Sequence, residues 1–356
     1  MLALRGFEVL LLDKGNFPRG KVCGCCLNAS ALKTLAHCGL AHLSESLNAR
    51  ALNGLQMFVG GESGRIELPG AKVLSREAFD AALVSEALKA GVHFLPGAAV
   101  RATFTSASTR FVRVQTGCGE HTFSANFVFA ATGLNSAYLE DEPALDAVIS
   151  AGSRMGLGAT VANASKSYSG GTVFMACADG GYAGMVRLED GRLNIAAALD
   201  AAYLRGCSDP GAAISGLLRQ AGAPPIAGLS REQWHGTPLL TRQRRHVAAP
   251  RLWLLGDAAG YVEPFTGEGM AWAMLSGMLA AKLAPAPGAA WNAAFETQWS
   301  AAYGQLIQRR QLGCKIIARI LRVPRFSRAA LGVLQAAPSI ARAVLRCMDQ
   351  PAFDAA

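Results

Sequence analysis

The chain has 356 residues, 51% of them hydrophobic, with a formal net charge of +9, and its length predicts a large core and two domains with an extension. We expect neither a membrane-spanning helix nor a signal peptide, because no apolar run of about 18 residues lacks a charge and because Arg5, Glu8 and Asp13 interrupt the N-terminal apolar run. The nine cysteines are scattered and odd in number, which indicates a reducing, cytoplasmic location rather than a disulfide framework.

The first predicted element is an apolar strand at residues 7–13 that ends in an acidic residue, Asp13, before Lys14-Gly15. The preceding residues predict the tail of a helix that stops at Gly6. In dinucleotide-binding sheets such an acid lies about 20 residues beyond a first strand and its G-x-G-x-x-G turn, and neither occurs in this chain. We expect the natural chain to begin about 20 residues earlier. The alternatives are a genuine truncation and, for Asp13, an ordinary surface turn.

Residues 19–27, Arg-Gly-Lys-Val-Cys-Gly-Cys-Cys-Leu, form an unusual cysteine cluster. Cys23 and Cys26 have the C-x-x-C spacing, but a zinc site needs about four ligands, and no second C-x-x-C or pair of histidines follows. A thioredoxin-type disulfide would need a different strand context. We therefore expect no metal site, and we expect Cys25 and Cys26 to be small packing residues.

The middle of the chain predicts a capped helix and a hairpin. Ser75 can cap a helix that begins near Arg76, and Phe79 and Leu83 belong to the apolar face of that helix. Residues 112–123 alternate between apolar and polar types on either side of a glycine-containing turn, which is typical of a β-hairpin.

Further strands are predicted in the second half of the chain and just before it. Residues 127–133 predict a buried strand that ends in Thr132-Gly133. Three later runs have strand character and are expected to pair antiparallel, with a turn at residues 189–192 between the last two. These runs are residues 171–178, 181–188 and 193–199.

The most informative stretch is residues 252–260, a short apolar run that ends in Gly256-Asp257 and a glycine-punctuated turn. This pattern predicts a buried strand that brings a carboxylate to the carboxyl edge of a sheet. At that edge Asp257 can accept hydrogen bonds from the hydroxyls of a polyol.

Residues 264–270, Pro-Phe-Thr-Gly-Glu-Gly-Met, lead from this turn into a long helix of small residues. Pro264, Gly267 and Gly269 let the backbone pass close to a flat ligand, and the helix points its positive N-terminus at that ligand. A ring that becomes anionic on reduction would be stabilised there. The alternative is an ordinary strand–loop–helix unit whose glycines serve packing.

Together these two stretches resemble the second flavin-binding motif of FAD enzymes related to geranylgeranyl reductase and para-hydroxybenzoate hydroxylase. The resemblance extends over roughly residues 1–285 and is more specific for FAD than for a substrate. It implies an α/β fold with a Rossmann-like FAD/NAD(P)-binding sheet that lacks its N-terminal strand and G-x-G-x-x-G turn. An α+β substrate domain with an antiparallel sheet, and C-terminal helices, complete that fold.

The resemblance also implies a discontinuous domain organisation. The FAD-binding domain comprises residues 1–50, 71–145 and 236–285, the substrate domain comprises residues 51–70 and 146–235, and residues 286–356 form a basic helical extension.

The resemblance assigns FAD contacts to residues in several of these motifs. Asp13 would hold the adenosine ribose, Asp257 the ribityl chain, and the loop after it the isoalloxazine ring. Arg76 would reach the FAD from its helix start, although a solvated arginine in a first turn is the alternative. The implied cofactor-binding residues are Asp13, Arg76, Gly133, Gly256, Asp257, Pro264, Gly267, Gly269 and Met270.

Candidate catalytic residues come from two places. The stretch Lys21-x-Cys23-Gly24 resembles one that lies beside flavin and substrate in geranylgeranyl reductase-like enzymes, which makes Lys21 and Cys23 catalytic candidates. Glu268 is a candidate proton carrier, or else an acid favoured at a helix start by the dipole. Thr132-Gly133 stands where relatives of para-hydroxybenzoate hydroxylase usually have Asp-Gly, which favours the reductase-like branch.

The resulting hypothesis is an FAD-dependent oxidoreductase that transfers a hydride between flavin and an apolar isoprenoid or lipid-linked aromatic substrate. A reduced nicotinamide or another electron carrier would be the donor. One alternative is a flavin monooxygenase acting on an aromatic or polyketide product. Another is a non-catalytic remnant that survives as a binding or structural partner.

The C-terminal segment is strongly basic, because nine basic and no acidic residues lie between Thr297 and Met348. Apolar residues interleave with them, and Pro324 and Pro338 divide the segment into short helices. Such helices can lie on an anionic bilayer, so we expect a peripheral position at the inner face of the membrane. The alternative is a helical cap on the FAD domain with its basic face in water; nucleic acid is not expected as a partner. The nine residues are Arg309, Arg310, Lys315, Arg319, Arg322, Arg325, Arg328, Arg342 and Arg346.

Overall fold

The computed structural model describes residues 1–336 apart from residues 107, 136, 140, 141, 264–266, 321 and 323. The predicted site residue Pro264 and the basic residues Arg342 and Arg346 lie outside the described residues. Among the helices of the described part, none combines the length and the apolar character that crossing a bilayer requires.

Strands occur along most of the described chain, and most of them are short. In chain order they are β1 (Leu10–Leu12), β2 (Cys26–Leu27), β3 (Arg50–Val59), β4 (Glu62–Val73), β5 (His93–Leu95), β6 (Ala99–Thr105), β7 (Arg110–Thr116), β8 (Gly119–Ala125), β9 (Val128–Ala130), β10 (Ala147–Ile149), β11 (Met155–Val161), β12 (Thr172–Ala178), β13 (Gly181–Arg187), β14 (Leu193–Leu199), β15 (His235–Leu239), β16 (Arg242–Arg244), β17 (Ala248–Ala249), β18 (Leu252–Leu254) and β19 (Gly260–Tyr261).

The helices lie between these strands and at the C-terminal end of the described chain. They are α1 (Ala29–His37), α2 (Leu43–Ser46), α3 (Arg76–Lys89), α4 (Ala201–Arg205), α5 (Pro210–Ala221), α6 (Gly269–Leu283), α7 (Ala294–Tyr303), α8 (Arg309–Ile320) and α9 (Pro324–Ala336).

Local sequence explains where several of these helices begin. Asn28, Ser75 and Asp209 each accept a hydrogen bond from a backbone N–H in the first turn of α1, α3 and α5, as good N-cap residues do. The predicted cap at Ser75 is therefore confirmed. α5 ends at Gly222, whose φ of 81° is the left-handed conformation that favours glycine at a helix end.

Two short parallel pairs form the part of the fold that the resemblance assigns to dinucleotide binding. β1 pairs with β5, and β9 pairs with β18, which also pairs antiparallel with β17. In the described residues these pairs belong to separate sheets, and no strand pairs with the second edge of β1 or of β9. The first strand and the G-x-G-x-x-G turn implied by the resemblance thus have no counterpart in the described part. Leu10 and Leu11 of β1 are correspondingly 42% and 37% exposed.

A three-stranded sheet of order β6–β7–β8 lies beside these pairs. β7 and β8 pair antiparallel around the turn at residues 117–118, which confirms the predicted hairpin. Val112 and Val114 of β7 form a small core with Ala98, so the alternating pattern buries one face of this sheet.

The largest sheet has eight strands in the order β15–β11–β14–β13–β12–β3–β4–β2. The three predicted strands are present in it as β12, β13 and β14. β13 pairs antiparallel with both β12 and β14, as expected. The same sheet also contains one parallel pair, β12 with β3, in addition to the expected antiparallel pairs. β3 and β12 are far apart in sequence, so the chain between them provides the crossover that a parallel pair requires.

Alternation along β12 assigns the two faces of this sheet. Phe174 and Ala176 pack with Ile214 and Leu217 of α5 in one core. Met175, between them in sequence, belongs to a second apolar cluster on the other face. That second face is the one that meets the parallel pairs.

The core next to the parallel pairs is built around β18, whose three residues are fully buried. Trp253 stacks on Trp299 of α7, with ring centroids 5.2 Å apart and planes 7° from parallel. Trp253 is therefore a core residue. Trp299 also donates a hydrogen bond from its indole to the carbonyl of Val247 at 3.2 Å.

The helices after α6 cover two different parts of the fold. α7, α8 and the π-helical turn Gly304–Gln308 between them pack on the β18 core through Tyr303, Ile307 and Cys314. α9 packs on the eight-stranded sheet through Leu331, which is 1% exposed. The predicted cap therefore exists in the described part, but α9 covers the eight-stranded sheet rather than the parallel pairs.

Replacing Trp299 with alanine should lower the free energy of unfolding by about 3–5 kcal/mol, because it removes a fully buried ring that joins α7 to β18. Urea unfolding followed by circular dichroism measures this loss. Trp291→Ala is the matched control, since Trp291 is only partly buried in the same aromatic group. Equal losses in the two variants would contradict the assigned role of Trp299.

Candidate functional site

A cavity of about 2360 Å³ lies where the parallel pairs meet the eight-stranded sheet. Residues that follow the ends of β1, β9 and β18 line one side, among them Asp13, Gly133 and Asp257. The eight-stranded sheet lines the other side with apolar residues, among them Met175 and Val186. One cavity thus has a wall of polar turn residues and a wall of apolar sheet residues.

Residues 20–27, the crossing segment, run between these two walls. The segment ends in β2, which pairs antiparallel with β4 of the eight-stranded sheet. Asn194 of β14 donates a hydrogen bond from Nδ2 to the carbonyl oxygen of Cys23 at 2.9 Å. A Cβ added at Gly158 would lie 3.1 Å from the side chain of Val22, so the close approach of the segment to β11 favours glycine there.

Cys23 lies in the crossing segment, in an environment that favours its thiolate. Hydrogen bonding from Cys25, whose backbone N–H lies 3.4 Å from the Cys23 sulfur, and the positive charge of Arg76 lower the pKa of Cys23 to about 5 against the opposing effect of burial. Burial and the charge of Cys23 raise the pKa of Cys26 to about 12. Cys23 is therefore anionic at neutral pH, while its neighbour stays a neutral thiol.

Cys25 combines packing with this electrostatic role. It is 3% exposed and packs with Leu52 and Val73, which confirms the expected packing role. Its φ of 57° is uncommon for a residue with a side chain, and its backbone N–H lies 3.4 Å from the Cys23 sulfur. Sequence reasoning missed this second role, since no local pattern reports a hydrogen bond to the sulfur of a nearby cysteine.

Arg76 opens α3 and lines the cavity, but its guanidinium already has a partner. Nε and one terminal nitrogen donate to the two oxygens of Asp80 at 2.8 and 2.7 Å, a bidentate pair one helical turn apart. The helix start is held in turn by Glu189 of the β13–β14 turn, which accepts from the N–H of Ser75 at 2.9 Å. Arg76 therefore reaches both the cavity and Cys23 from a fixed position, as the expected FAD contact requires.

Asp257 follows β18 in a single 3-10 turn that begins at Gly256. Gly256 has a φ of 54°, and its N–H donates to the hydroxyl of Ser276 at 2.8 Å. Burial raises the pKa of Asp257, whereas the charges of Lys21 and Arg76 act in the opposite direction. Within the described residues its carboxylate accepts no hydrogen bond, which leaves both oxygens available to a ligand in the cavity.

The loop after this turn approaches the crossing segment. Gly267 has a φ of 75°, and a Cβ added there would lie 3.4 Å from the Cβ of Cys26. Gly269 is the first residue of α6, and Met270 is 9% exposed and packs in the core with Leu27. Gly267, Gly269 and Met270 all line the cavity.

Glu268 immediately precedes α6, lines the cavity and is 3% exposed. Arg310 of α8 lies close enough that the charge of Glu268 opposes the lowering of the Arg310 pKa by burial. Glu268 is therefore a buried acid beside a cation at the end of the cavity. Its role as a proton carrier stays a prediction.

Asp13 and Lys21 lie at two other places along the cavity wall. Asp13 accepts from the N–H of Gly15 and from the guanidinium of Arg19, both at 2.8 Å, and each oxygen keeps acceptor capacity for a further donor. Lys21 lies near Gly133, where a Cβ would be 3.7 Å from the lysine nitrogen, and Gly133 has a φ of 69°. Asp13, Lys21, Gly133 and Asp257 thus share one cavity, as predicted from separate motifs.

Sequence reasoning missed two tyrosines and a buried ion pair on the apolar side. Tyr182 and Tyr261 line the cavity. Behind Tyr182, Arg154 lies 5.5 Å from the centre of its ring and donates to Glu263 at 3.0 Å. The alternation along β13 could have assigned Tyr182 to the cavity face, but nothing in the sequence links Arg154 to Glu263.

The residues present fit an FAD molecule in this cavity. An available carboxylate at Asp257 suits a polyol chain, and the positive-φ glycines at positions 133 and 267, which line the cavity, allow a close backbone approach. Gly256 does not line the cavity, since a Cβ there would lie 3.3 Å from the Cβ of Ala273 in α6. The N-terminus of α6 faces the cavity through Gly269 and supplies the positive end of a helix dipole. The cavity then continues past the crossing segment to the apolar sheet, where a second molecule could bind.

Comparison with known proteins supports this assignment. The family described as FAD binding domain matches residues 1–292. A comparison with curated proteins found no match.

Solved structures with a similar fold include the flavin-dependent brominase Bmp2, with 18% sequence identity and a TM-score of 0.75 over 98% of this chain and 90% of that chain. The p-nitrophenol 4-monooxygenase PnpA from Pseudomonas putida DLL-E4 has 16% identity and a TM-score of 0.75, over 98% of this chain and 93% of that chain. A flavoprotein/dehydrogenase from Cytophaga hutchinsonii has 15% identity and a TM-score of 0.75, over 99% of this chain and 90% of that chain. At these identities the likeness concerns the fold.

The low pKa of Cys23 predicts an unusual pH dependence of alkylation. Because the thiolate is the reactive species, the rate with iodoacetamide should be nearly constant between about pH 6 and 8 and should fall as the pH drops through about 5. Cys26, equally close to the cavity, should stay unmodified over this range, since its pKa is about 12. Peptide mass spectrometry after timed labelling measures both rates, and a Cys23→Ser variant assigns the signal. A rate at Cys23 that rises about tenfold per pH unit up to pH 8 would contradict the prediction, because that is the behaviour of an ordinary thiol.

Proposed function

The chain belongs to the FAD-binding domain family and is an FAD-dependent oxidoreductase, and from this premise we propose that it transfers a hydride between flavin and an apolar substrate. The observation that carries the proposal is the single cavity that joins the Asp257 turn to the apolar face of the eight-stranded sheet. Bound FAD supplies the two-electron chemistry. An isoprenoid or a lipid-linked aromatic is the substrate class that suits the apolar wall.

The polar wall binds and orients the cofactor in this proposal. Asp257 would accept hydrogen bonds from the ribityl hydroxyls, and Asp13, beside Arg19, would accept from the adenosine ribose. The N-terminus of α6 at Gly269 would stabilise negative charge on the ring. Glycine at position 267 leaves no side chain on that wall. A Cβ there would contact Cys26 of the crossing segment.

The crossing segment places the reactive side chains between cofactor and substrate. Cys23 holds a negative charge beside Arg76, and Lys21 offers a positive charge on the same segment. Lys21 and Cys23 can therefore donate and accept a proton or a hydrogen bond at the substrate. Glu268 is the third proton-carrying candidate, at the start of α6.

Apolar sheet residues and the two tyrosines bind the substrate and exclude water. Met175, Val186 and Leu240 present alkyl and thioether groups to the cavity, together with the rings of Tyr182 and Tyr261. Burial raises the pKa of Tyr261 well above its ordinary value, so its hydroxyl stays protonated. A cavity lined in this way favours a molecule with a long apolar portion over a small polar one.

Two sequence features support a reductase-like reaction of the geranylgeranyl reductase type. These are the Lys21-x-Cys23-Gly24 stretch and the Thr132-Gly133 turn. The second candidate is oxygenation of an aromatic or polyketide product, which is favoured by the similar fold of a solved monooxygenase. The two candidates differ in whether oxygen is consumed.

Replacing Asp257 with alanine should weaken FAD binding by about fivefold to a hundredfold, the equivalent of roughly 1–3 kcal/mol, because a polyol donor loses its acceptor in a buried place. The measurements are the flavin content after gel filtration and the dissociation constant for added FAD. Asp179→Ala removes an exposed acid of a sheet turn and serves as the matched control. Equal FAD affinity in the parent and the Asp257 variant would remove this residue from the site.

Anaerobic single turnover separates the two candidate reactions. Dithionite-reduced enzyme mixed with geranylgeraniol should recover the absorbance of oxidised flavin without oxygen, as two electrons and two protons pass to a carbon–carbon double bond. Product mass spectrometry should find a gain of two hydrogens. No recovery with the isoprenoid, together with oxygen uptake and hydroxylation when 4-hydroxybenzoate is supplied in air, would replace the reductase proposal with the monooxygenase one.

A further inference from the structure

The two C-terminal helices of the described chain expose large apolar side chains. On α8, Leu312 and Ile316 are 57% and 59% exposed, and on α9, Phe326 and Val333 are 52% and 53% exposed. The members of each pair are four and seven positions apart, so each pair shares one face of its helix. Apolar side chains grouped in this way mark a surface that meets another partner.

Opposite faces of the same helices hold them on the protein. α8 is fixed through Gln311 and Cys314, which are 5% and 3% exposed. α9 is fixed through Leu331, and Gln335 donates to the carbonyl of Ser63 at 3.3 Å. The exposed side chains of Leu312 and Ile316 are therefore additional to the packing of α8.

Basic residues surround the exposed pair on α8. Arg309, Lys315 and Arg319 lie three or seven positions from Leu312 or Ile316, on the same side of the helix or beside it. Within the described part of the chain these three form no ion pair.

The positive charges of two other basic residues nearby are partly balanced by acidic residues. Arg322 lies 3.8 Å from Asp200, and the charge of Glu268 acts on Arg310. No acidic residue occurs between residues 297 and 348, so nothing within the segment itself neutralises the remaining charges.

We propose that the exposed face of α8, the basic–apolar surface, binds the surface of an anionic phospholipid bilayer. The apolar side chains enter the boundary between headgroups and acyl chains, while Arg309, Lys315 and Arg319 contact lipid phosphates. A second copy of the chain is a poor occupant, since a two-fold contact of this surface would place basic residues on basic residues. Nucleic acid would use the charges but would not cover Leu312 and Ile316.

The binding itself does not depend on the proposed reaction, because it is measured without substrate.

The test is flotation of the purified holoenzyme with phosphatidylcholine vesicles, with and without phosphatidylglycerol, at low and high salt. Binding is expected only with phosphatidylglycerol and should be lost at high salt. The double variant Arg309→Gln/Arg319→Gln should bind phosphatidylglycerol vesicles about fivefold more weakly for each charge removed, the equivalent of ~1 kcal/mol per charge. The double variant Leu312→Ser/Ile316→Ser should bind these vesicles about tenfold more weakly or worse, because it has lost the apolar side chains that enter the bilayer.

Matched controls replace residues of the same kind elsewhere on the surface. Leu88→Ser changes a leucine of α3 that is 51% exposed, and Arg205→Gln with Arg219→Gln changes two exposed arginines of α4 and α5. These variants should bind like the parent, and the melting temperature and flavin content of every variant should match the parent.

Three results would overturn the proposal. They are the absence of binding to phosphatidylglycerol vesicles at low salt, equal binding to phosphatidylcholine alone, and parent-like binding by both α8 double variants. Salt-sensitive binding to duplex DNA as strong as that to vesicles, and unchanged by the Leu312 and Ile316 substitutions, would also overturn it, because the charges would then be recognising phosphate in general.

Discussion

The hydrogen bond from Asn194 to the carbonyl oxygen of Cys23 is the contact on which the geometry of the site depends. It joins β14 in the middle of the eight-stranded sheet to the crossing segment, and the pairing of β2 with β4 holds the end of that segment on the same sheet. A single bond of this kind contributes only about 1 kcal/mol to stability. The bond matters for position rather than for stability. Together with the pairing of β2 and β4, it fixes the backbone that places Lys21 and Cys23 between the two walls of the cavity.

Charge in the cavity follows from this arrangement. The pKa of Cys23 is lowered because α3 brings Arg76 to it and because Cys25, which has a positive φ, directs its backbone N–H at the Cys23 sulfur. Asp80 fixes Arg76 from behind, so its guanidinium is shared between a carboxylate and a thiolate. Asp257 contributes a further negative group whose oxygens stay available. The polar wall therefore presents acceptors and charges in fixed positions, while the opposite wall offers apolar sheet residues.

Local sequence patterns predicted much of this protein correctly. The Ser75 cap, the hairpin of β7 and β8, the three strands β12 to β14 and the carboxylate after β18 all depend on residues that are close in sequence. Caps, alternation and glycine turns act over a few residues, so their signals are present in the chain itself. FAD binding was predicted in the same way, because the motif around Gly256-Asp257 is local and its chemistry needs those residue types. The domain limits and the roles of the individual site residues stay predictions.

What the sequence alone determined is thus several of the elements and, through the resemblance of its motifs to those of FAD enzymes, the nature of the cofactor. Only the tertiary structure decided that β12 pairs parallel with β3, that α9 covers the eight-stranded sheet, and that Asn194 holds Cys23. It also decided that Cys25 acts on Cys23 and that Arg154 pairs with Glu263 behind the cavity wall. Most of these contacts join residues far apart in the chain, and their energies depend on burial and on charges that other elements bring close. A hydrophobic period or a capping residue reports nothing about such neighbours, because burial and distance exist only once the chain has folded.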